Sequence, residues 1–252
     1  MFACQALCVK NPYYEQILFY ASEYIHQVDE SNTILTDENE IFDINMPYDS
    51  TIQEVKAIIK QEEIESEQEI KEHKSLNPVQ IQPFAAYNRT AAAEYAVKWH
   101  NGRNPLYKNH AADCTNFVSQ AVFAGGKAMK KPASRPSGIT KDTNNWYSER
   151  YSLPAYNYGW RESSSWVNVE DFKTFWAKTQ SVVTSSSINT IISNANVGDV
   201  IQLQASSGSR FYHSLIVHKK ANGTLYLAAH TNNRVNLSIK DISAYKFRVI
   251  KF

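Results

Sequence analysis

The chain has 252 residues, 43% of them hydrophobic, and a formal charge of +1 from 26 basic and 25 acidic side chains. That supports a sizeable core, either one large domain or a domain with an appendage, and the near-neutral balance gives no electrostatic case for a nucleic-acid partner. Three cysteines, Cys4, Cys8 and Cys114, are too few for a disulfide scaffold or a four-cysteine zinc module, and no apolar run is long enough to span a bilayer.

Residues 1–9 lack a charged leader and are short for a signal core, so there is no convincing signal peptide. A Cys4–Cys8 bridge would close a very small loop. Residues 11–30 read as an amphipathic helix, with Asn11 as cap, Pro12 in the first turn and a stripe of Tyr14, Ile17, Leu18, Ala21, Ile25 and Val28. Residues 29–50 are polar and broken by Pro47, a loop. Residues 51–74 favour helix, but the apolar stripe fades after Ile59. The acidic run over 62–69 reads as a solvated helix or linker. Pro78 and Pro83 then mark a boundary. Residues 1–83 are expected to be a helical accessory segment and linker, and residues 84–252 a separate domain.

That domain opens with a helix near Asn88, with Ala92, Tyr95, Ala96 and Trp99 on one face and Asn101-Gly102 as its stop. A loop leads to a second helix from Cys114 to about Ala124, with Asp113 as N-cap and Gly125-Gly126 as stop. Residues 127–165 form a long irregular stretch rich in rings. Loops of that length are commonly lids or binding loops. Trp146, Tyr147 and Trp160, with Trp166 just beyond, are therefore candidate substrate-binding residues; pinning the loop to the core is the competing role. Another helix starts after Asn168, with Val169, Phe172, Phe175 and Trp176 on its apolar face. Residues 187–193 add a helical turn. From Val197 the pattern changes to strands, at 200–203, 211–219, 225–230 and 246–252. Asn222-Gly223 is a favoured type I′ hairpin turn. Helices first and an antiparallel meander afterwards predict an α+β fold.

The chemistry centres on Asp113-Cys114-Thr115-Asn116-Phe117-Val118-Ser119-Gln120. A thiol in the first turn of a helix meets unpaired N–H groups and the positive end of the dipole, which favour the thiolate. A lone cysteine is more often a small buried hydrophobe. The hairpin supplies a partner. If Asn222-Gly223 is a two-residue turn, Ala221 pairs with Thr224, Leu215 faces His230 and His213 faces Asn232. Side-chain alternation then puts His213, His230 and Asn232 on one face and His218 on the other. A helix-start cysteine, a strand histidine and a polar residue behind it make the Cys–His nucleophile arrangement.

From about Tyr87 to Phe252 the chain resembles the Putative amidase domain family, a branch of the papain-like cysteine peptidases related to the NlpC-type and CHAP cell-wall hydrolases. The resemblance rests on the Asp113–Gln120 stretch followed by Gly125-Gly126 and on Ser165-Trp166-Val167-Asn168-Val169. It rests also on Gly198-Asp199 before a strand, on His213 in its hairpin, and on Tyr226-Leu227-Ala228-Ala229-His230-Thr231. It implies a papain-like core in which a helical N-terminal half packs on a C-terminal antiparallel sheet. It implies hydrolysis of an amide bond in a peptide or peptidoglycan substrate through an acyl-enzyme, with no cofactor or metal, in a bacterial extracellular or cell-wall setting. Cys114 would be the nucleophile and His213 the general base. His230 would orient that base, with Asn232 as the alternative. Asp113 and Asp199 read as cap and turn residues. Two other readings compete. One is a non-catalytic wall-binding or interaction module on the same fold. The other is a zinc site using His110 and Cys114 with His213 or His230.

Overall fold

The computed structural model describes residues 52–76, 87–154, 157–231 and 233–252. The helix expected at 11–30, the Cys4–Cys8 pair and Asn232 lie outside the described residues. The architecture is α+β. Helices α1 (Ile52–Leu76), α2 (Arg89–Trp99) and α3 (Cys114–Ala124) come first. A small sheet of β1 (Gly138–Thr140), β2 (Ser148–Leu153) and β3 (Asn157–Ser163) follows, then α4 (Ser164–Val167) and α5 (Val169–Ala177). The main sheet is built from β4 (Ser181–Ser185), β5 (Val200–Gln204), β6 (Phe211–Ala221), β7 (Thr224–Ala229), β8 (Arg234–Ser238) and β9 (Lys246–Lys251), with α6 (Ile188–Asn194) between β4 and β5. Its order is β4-β9-β5-β6-β7-β8, antiparallel throughout and open at both edges.

Both faces of the main sheet are covered, which is why its central strands read as near-continuous apolar runs. Val200, Ile216, Ala228 and Ile250 meet Ala92 and Ala96 of α2, Phe117 and Val118 of α3, and Phe172 and Trp176 of α5. On the opposite face Ile201, Leu215, Val217, Leu227 and Val249 pack against Ile191 of α6 and against Ile239. Burying each large side chain completely stabilises the fold by about 1.5–3 kcal/mol. The helix–sheet layer therefore holds the start of α3 rigidly over β6.

The stretch at 127–165 is not irregular: it contains the mixed sheet β1-β3-β2. Its strands are polar and half-exposed, so they carry no apolar alternation. The edge strands β4 and β8 were likewise hidden by their Ser, Thr and Asn content.

The acidic run also proves more than a solvated linker. Ile59, Glu62, Ser66 and Glu69 recur at three- and four-residue spacing, one face of α1. Ile59 is buried, Ser66 Oγ meets Thr174 Oγ1 of α5 at 2.7 Å, and Glu69 accepts from Lys178 Nζ and Thr143 Oγ1, each at 2.6 Å. Glu62 pairs with Arg210. Glu63, Glu65 and Glu67 stay exposed. The Glu62–Arg210 pair is exposed enough to be worth about 0–1 kcal/mol, whereas Glu69 reaches a Lys178 side chain only 3% exposed, which makes that end of α1 the firmer attachment.

Candidate active site

Helix α3 begins at Cys114 because the Asp113 carbonyl accepts the Phe117 N–H at 2.9 Å while the Asp113 backbone is already non-helical. The Asp113 side chain, however, makes no cap hydrogen bond. Its φ of −95° and ψ of 5° depart from the extended backbone of a capping residue and turn the carboxylate away from the first N–H groups. Asp113 thus holds the expected N-cap position without a side-chain cap bond, and its carboxylate is instead the hub of a buried network. Oδ1 accepts from Asn116 Nδ2 at 2.7 Å, and Oδ2 meets Arg103 Nε at 3.1 Å and His230 Nδ1 at 2.5 Å. The other ring nitrogen of His230 faces the Trp99 carbonyl at 2.7 Å, and the ring stacks on Phe117 with centroids 3.9 Å apart. Both ring nitrogens of His230 therefore face oxygen partners, one on a side chain and one on the backbone. His230 thus ties the end of α2 to the start of α3.

Cys114 is 3% exposed. Its thiol lies 3.8 Å from Thr115 Oγ1 and against the backbone of Ser214 in β6, in an apolar cluster with Val169, Phe211 and Tyr212. Burial pushes the thiol pKa up to about 11; hydrogen bonds from Ser214 and Thr115 pull it down, and the Asp113 charge adds to the rise. The expected preference for thiolate is overturned at rest, because desolvation in this cluster outweighs the helix N-terminus. Thr115 Oγ1 meets Ser214 Oγ at 3.0 Å, pinning helix to strand directly beside the sulfur.

His213 precedes Ser214. It is buried, lies opposite Leu203 in the β5–β6 ladder and stacks with Tyr212 at 6.1 Å. Two bulges shape β6. Near the turn the register is the expected one, with Ala221 opposite Thr224 and Lys219 opposite Tyr226. His218 is then an extra residue, and beyond it Ile216 faces Ala228. The shift alters the face argument. Ala228 joins the core around Phe117, and His230, two residues on, stacks on that same Phe117. Both nitrogens of His230 are engaged away from His213. Thr231 follows with a φ of 79°, a conformation that β-branched residues rarely adopt. The second bulge sets Tyr212 and His213 together opposite Leu203, between the pairs Gln204–Phe211 and Gln202–Ser214.

The ring candidates divide. Trp146, Tyr147 and Trp166 are fully buried. The Trp146 indole donates to Ser119 Oγ at 3.2 Å, the Trp166 indole donates to Asn116 Oδ1 at 2.8 Å, and the two rings lie 4.5 Å apart. In this structure these three rings pack inside the domain with no exposed face. Trp160 lies half-buried on β3 opposite Arg150. His110 Nε2 binds Glu162 at 2.8 Å in a second buried pair, and Ser148 Oγ donates to the other Glu162 oxygen at 2.8 Å. Among the described residues no group of three His, Cys, Asp or Glu could hold a metal ion, and no helix is long and apolar enough to cross a membrane. Nothing in the sequence singled out Thr115, Ser214 or Arg103. Their roles arise from contacts between segments far apart in the chain.

Residues 86–252 match the model of a family described as Putative amidase domain. The chain is similar to two Bacillus subtilis (strain 168) proteins. It is 32% identical over 162 residues to the uncharacterized protein YhbB, covering 63% of this chain and 47% of that one. It is 28% identical over 159 residues to the uncharacterized protein YjcM, covering 60% of this chain and 32% of that one. The chain thus spans under half the length of these curated relatives. No solved structure matches it significantly. A cysteine-opened helix pinned to a histidine-bearing antiparallel sheet, together with a family match over most of the described residues, places the chain in the Putative amidase domain family, which is related to the papain-like cysteine-peptidase domains.

Proposed function

We propose that this domain is a cysteine amidase that cleaves an amide bond in peptidoglycan peptides. One observation carries the reading: Cys114 opens α3 with its thiol against Ser214, the residue next to His213. His213 takes the thiol proton as Sγ bonds to the amide carbon, and returns it to the nitrogen as the C–N bond breaks. Water then attacks the thioester, giving its proton to His213. The carboxylic acid leaves and the thiol is restored. The Cys114 N–H, at the helix start, donates to the developing oxyanion. Because the resting thiol is neutral, attack starts from a general-base step and not from a preformed ion pair. Catalytic hydrogen bonds commonly tighten only when substrate is bound. His230 acts on this chemistry through Asp113, as a positioning residue. The cell-wall substrate and an extracellular setting draw on the likeness to NlpC-type and CHAP hydrolases, and the Bacillus relatives support only a bacterial origin.

The raised thiol favours one competing reading, a non-catalytic module that binds the wall. Release of new amino groups from peptidoglycan fragments separates the two. Loss of release in Cys114→Ala and in His213→Ala, with melting temperature kept, supports the amidase. Binding without release by the unaltered protein supports the module, and release that persists in Cys114→Ala refutes Cys114 as nucleophile.

A further inference from the structure

The residues that bracket His213 are held by one ion pair that the reaction itself does not use. Phe211, the first residue of β6, shares a buried cluster with Cys114 and Val169. Its backbone N–H donates to Glu170 Oε1 at 2.9 Å, from the first turn of α5. Glu170 Oε2 accepts from Arg248 Nη1 at 2.9 Å, and the same nitrogen donates to Gln202 Oε1 at 3.0 Å. The Arg248 guanidinium lies 3.6 Å over the Phe211 ring. Gln202 Nε2 in turn donates to the Val169 carbonyl at 2.8 Å and to Ser214 Oγ at 3.4 Å. Phe211 is thus gripped by backbone and ring, and Ser214 through Gln202. Between them stands the bulged Tyr212-His213 step.

Arg248 is 5% exposed. Burial alone would raise the Glu170 carboxyl, but Arg248 and the Phe211 N–H outweigh it and hold the group ionised. A largely buried ion pair is weak as a source of stability, since well-packed apolar residues commonly serve as well, and its best-attested use is to specify register. A bulge needs such a device, because a slip of one residue turns side chains to the other face of the sheet.

We propose that Glu170 and Arg248 are positioning residues for the general base, locking the β6 bulge so that His213 is presented beside Cys114. The proposal rests on the Cys114–His213 reading. The test uses the full chain with Cys4→Ser and Cys8→Ser, and follows Cys114 alkylation by iodoacetamide from acid to alkaline pH. Arg248→Met is compared with the unaltered residue in the presence and absence of His213→Ala. Glu170→Gln is the milder variant, since an amide oxygen still accepts the Phe211 N–H.

The expected result is that Arg248→Met slows alkylation about 100-fold or more, as for loss of a general base, and takes on the pH profile of His213→Ala. In the His213→Ala background it changes nothing further, and Glu170→Gln falls between. A wild-type profile in folded Arg248→Met and Glu170→Gln, with only a lower melting temperature, overturns the positioning role while leaving the amidase reading intact. Insensitivity of the parent chain to His213→Ala overturns both.

Discussion

Asp113→Ala removes the acceptor that holds His230, Arg103 and Asn116 together. Asn116 keeps the Lys108 carbonyl at 2.9 Å, so its loss is partial. Arg103 has a side chain 32% exposed, and water takes over much of its solvation. His230 is 1% exposed and would be left with only Trp99 O as a partner. Breaking a buried pair by deleting one partner costs about 3–5 kcal/mol. With the Arg103 share discounted, the expected loss is about 3 kcal/mol, or roughly 6–12 °C in melting temperature for a domain of this size. His230→Ala should cost a comparable amount through the lost stack on Phe117. Because both variants break the same pair, the double variant should fall short of the summed losses by about 1 kcal/mol or more. Chemical denaturation of the four proteins gives this cycle directly. Additivity within about 0.5 kcal/mol would show that Asp113 and His230 are not coupled and would refute the network as drawn.

Glu162 gives a pH signature. Burial raises its carboxyl, but His110 and Ser148 outweigh that, so its folded pKa lies below the ordinary value. The stability it contributes is therefore present above the unfolded carboxyl pKa and lost as pH falls through the lower, folded one. Thermal melts of Glu162→Gln should show a flatter acid limb than the parent chain, and parallel limbs would remove the charged pair from the account. At Gly125 an added Cβ would meet Tyr87 Cε2 at 2.3 Å, and Tyr87 is itself bound through its hydroxyl to the Gly198 carbonyl at 2.8 Å. Gly125→Ala should cost about 1–3 kcal/mol by overpacking, and an unchanged denaturation midpoint would contradict that contact. Glu62→Gln combined with Glu69→Gln should raise hydrogen exchange over 52–76 and, outside it, only around Thr143 and Lys178, the partners of Glu69; equal protection over 52–76 in both proteins would show that the acidic face does not dock α1.

How much of this was legible in the sequence depends on the range of the interaction. Helix α3 could be read because its cue is local: an apolar period bounded by Asp113 and by Gly125-Gly126. The hairpin turn could be read for the same reason, since Asn222 and Gly223 take the positive φ values, 53° and 64°, that a type I′ turn demands. The ordered set of Cys114, His213 and His230 motifs pointed to the family that the comparison then showed.

Other features were decided only by tertiary contact. A bulge has no residue signature at His218, so beyond it Ile216, and not Val217, faces Ala228, and the stack of His230 on Phe117 joins segments far apart in the chain. Indole rings look alike in sequence whether they line a cleft or fill a core, and it was the approach of Ser119 and Asn116 that internalised Trp146 and Trp166. The protonation of Cys114 is the clearest case. Its place at a helix start is written locally and favours the thiolate. The apolar enclosure that reverses this comes from Val169, Phe211 and Tyr212, distant along the chain, because desolvation depends on everything that excludes water from the sulfur.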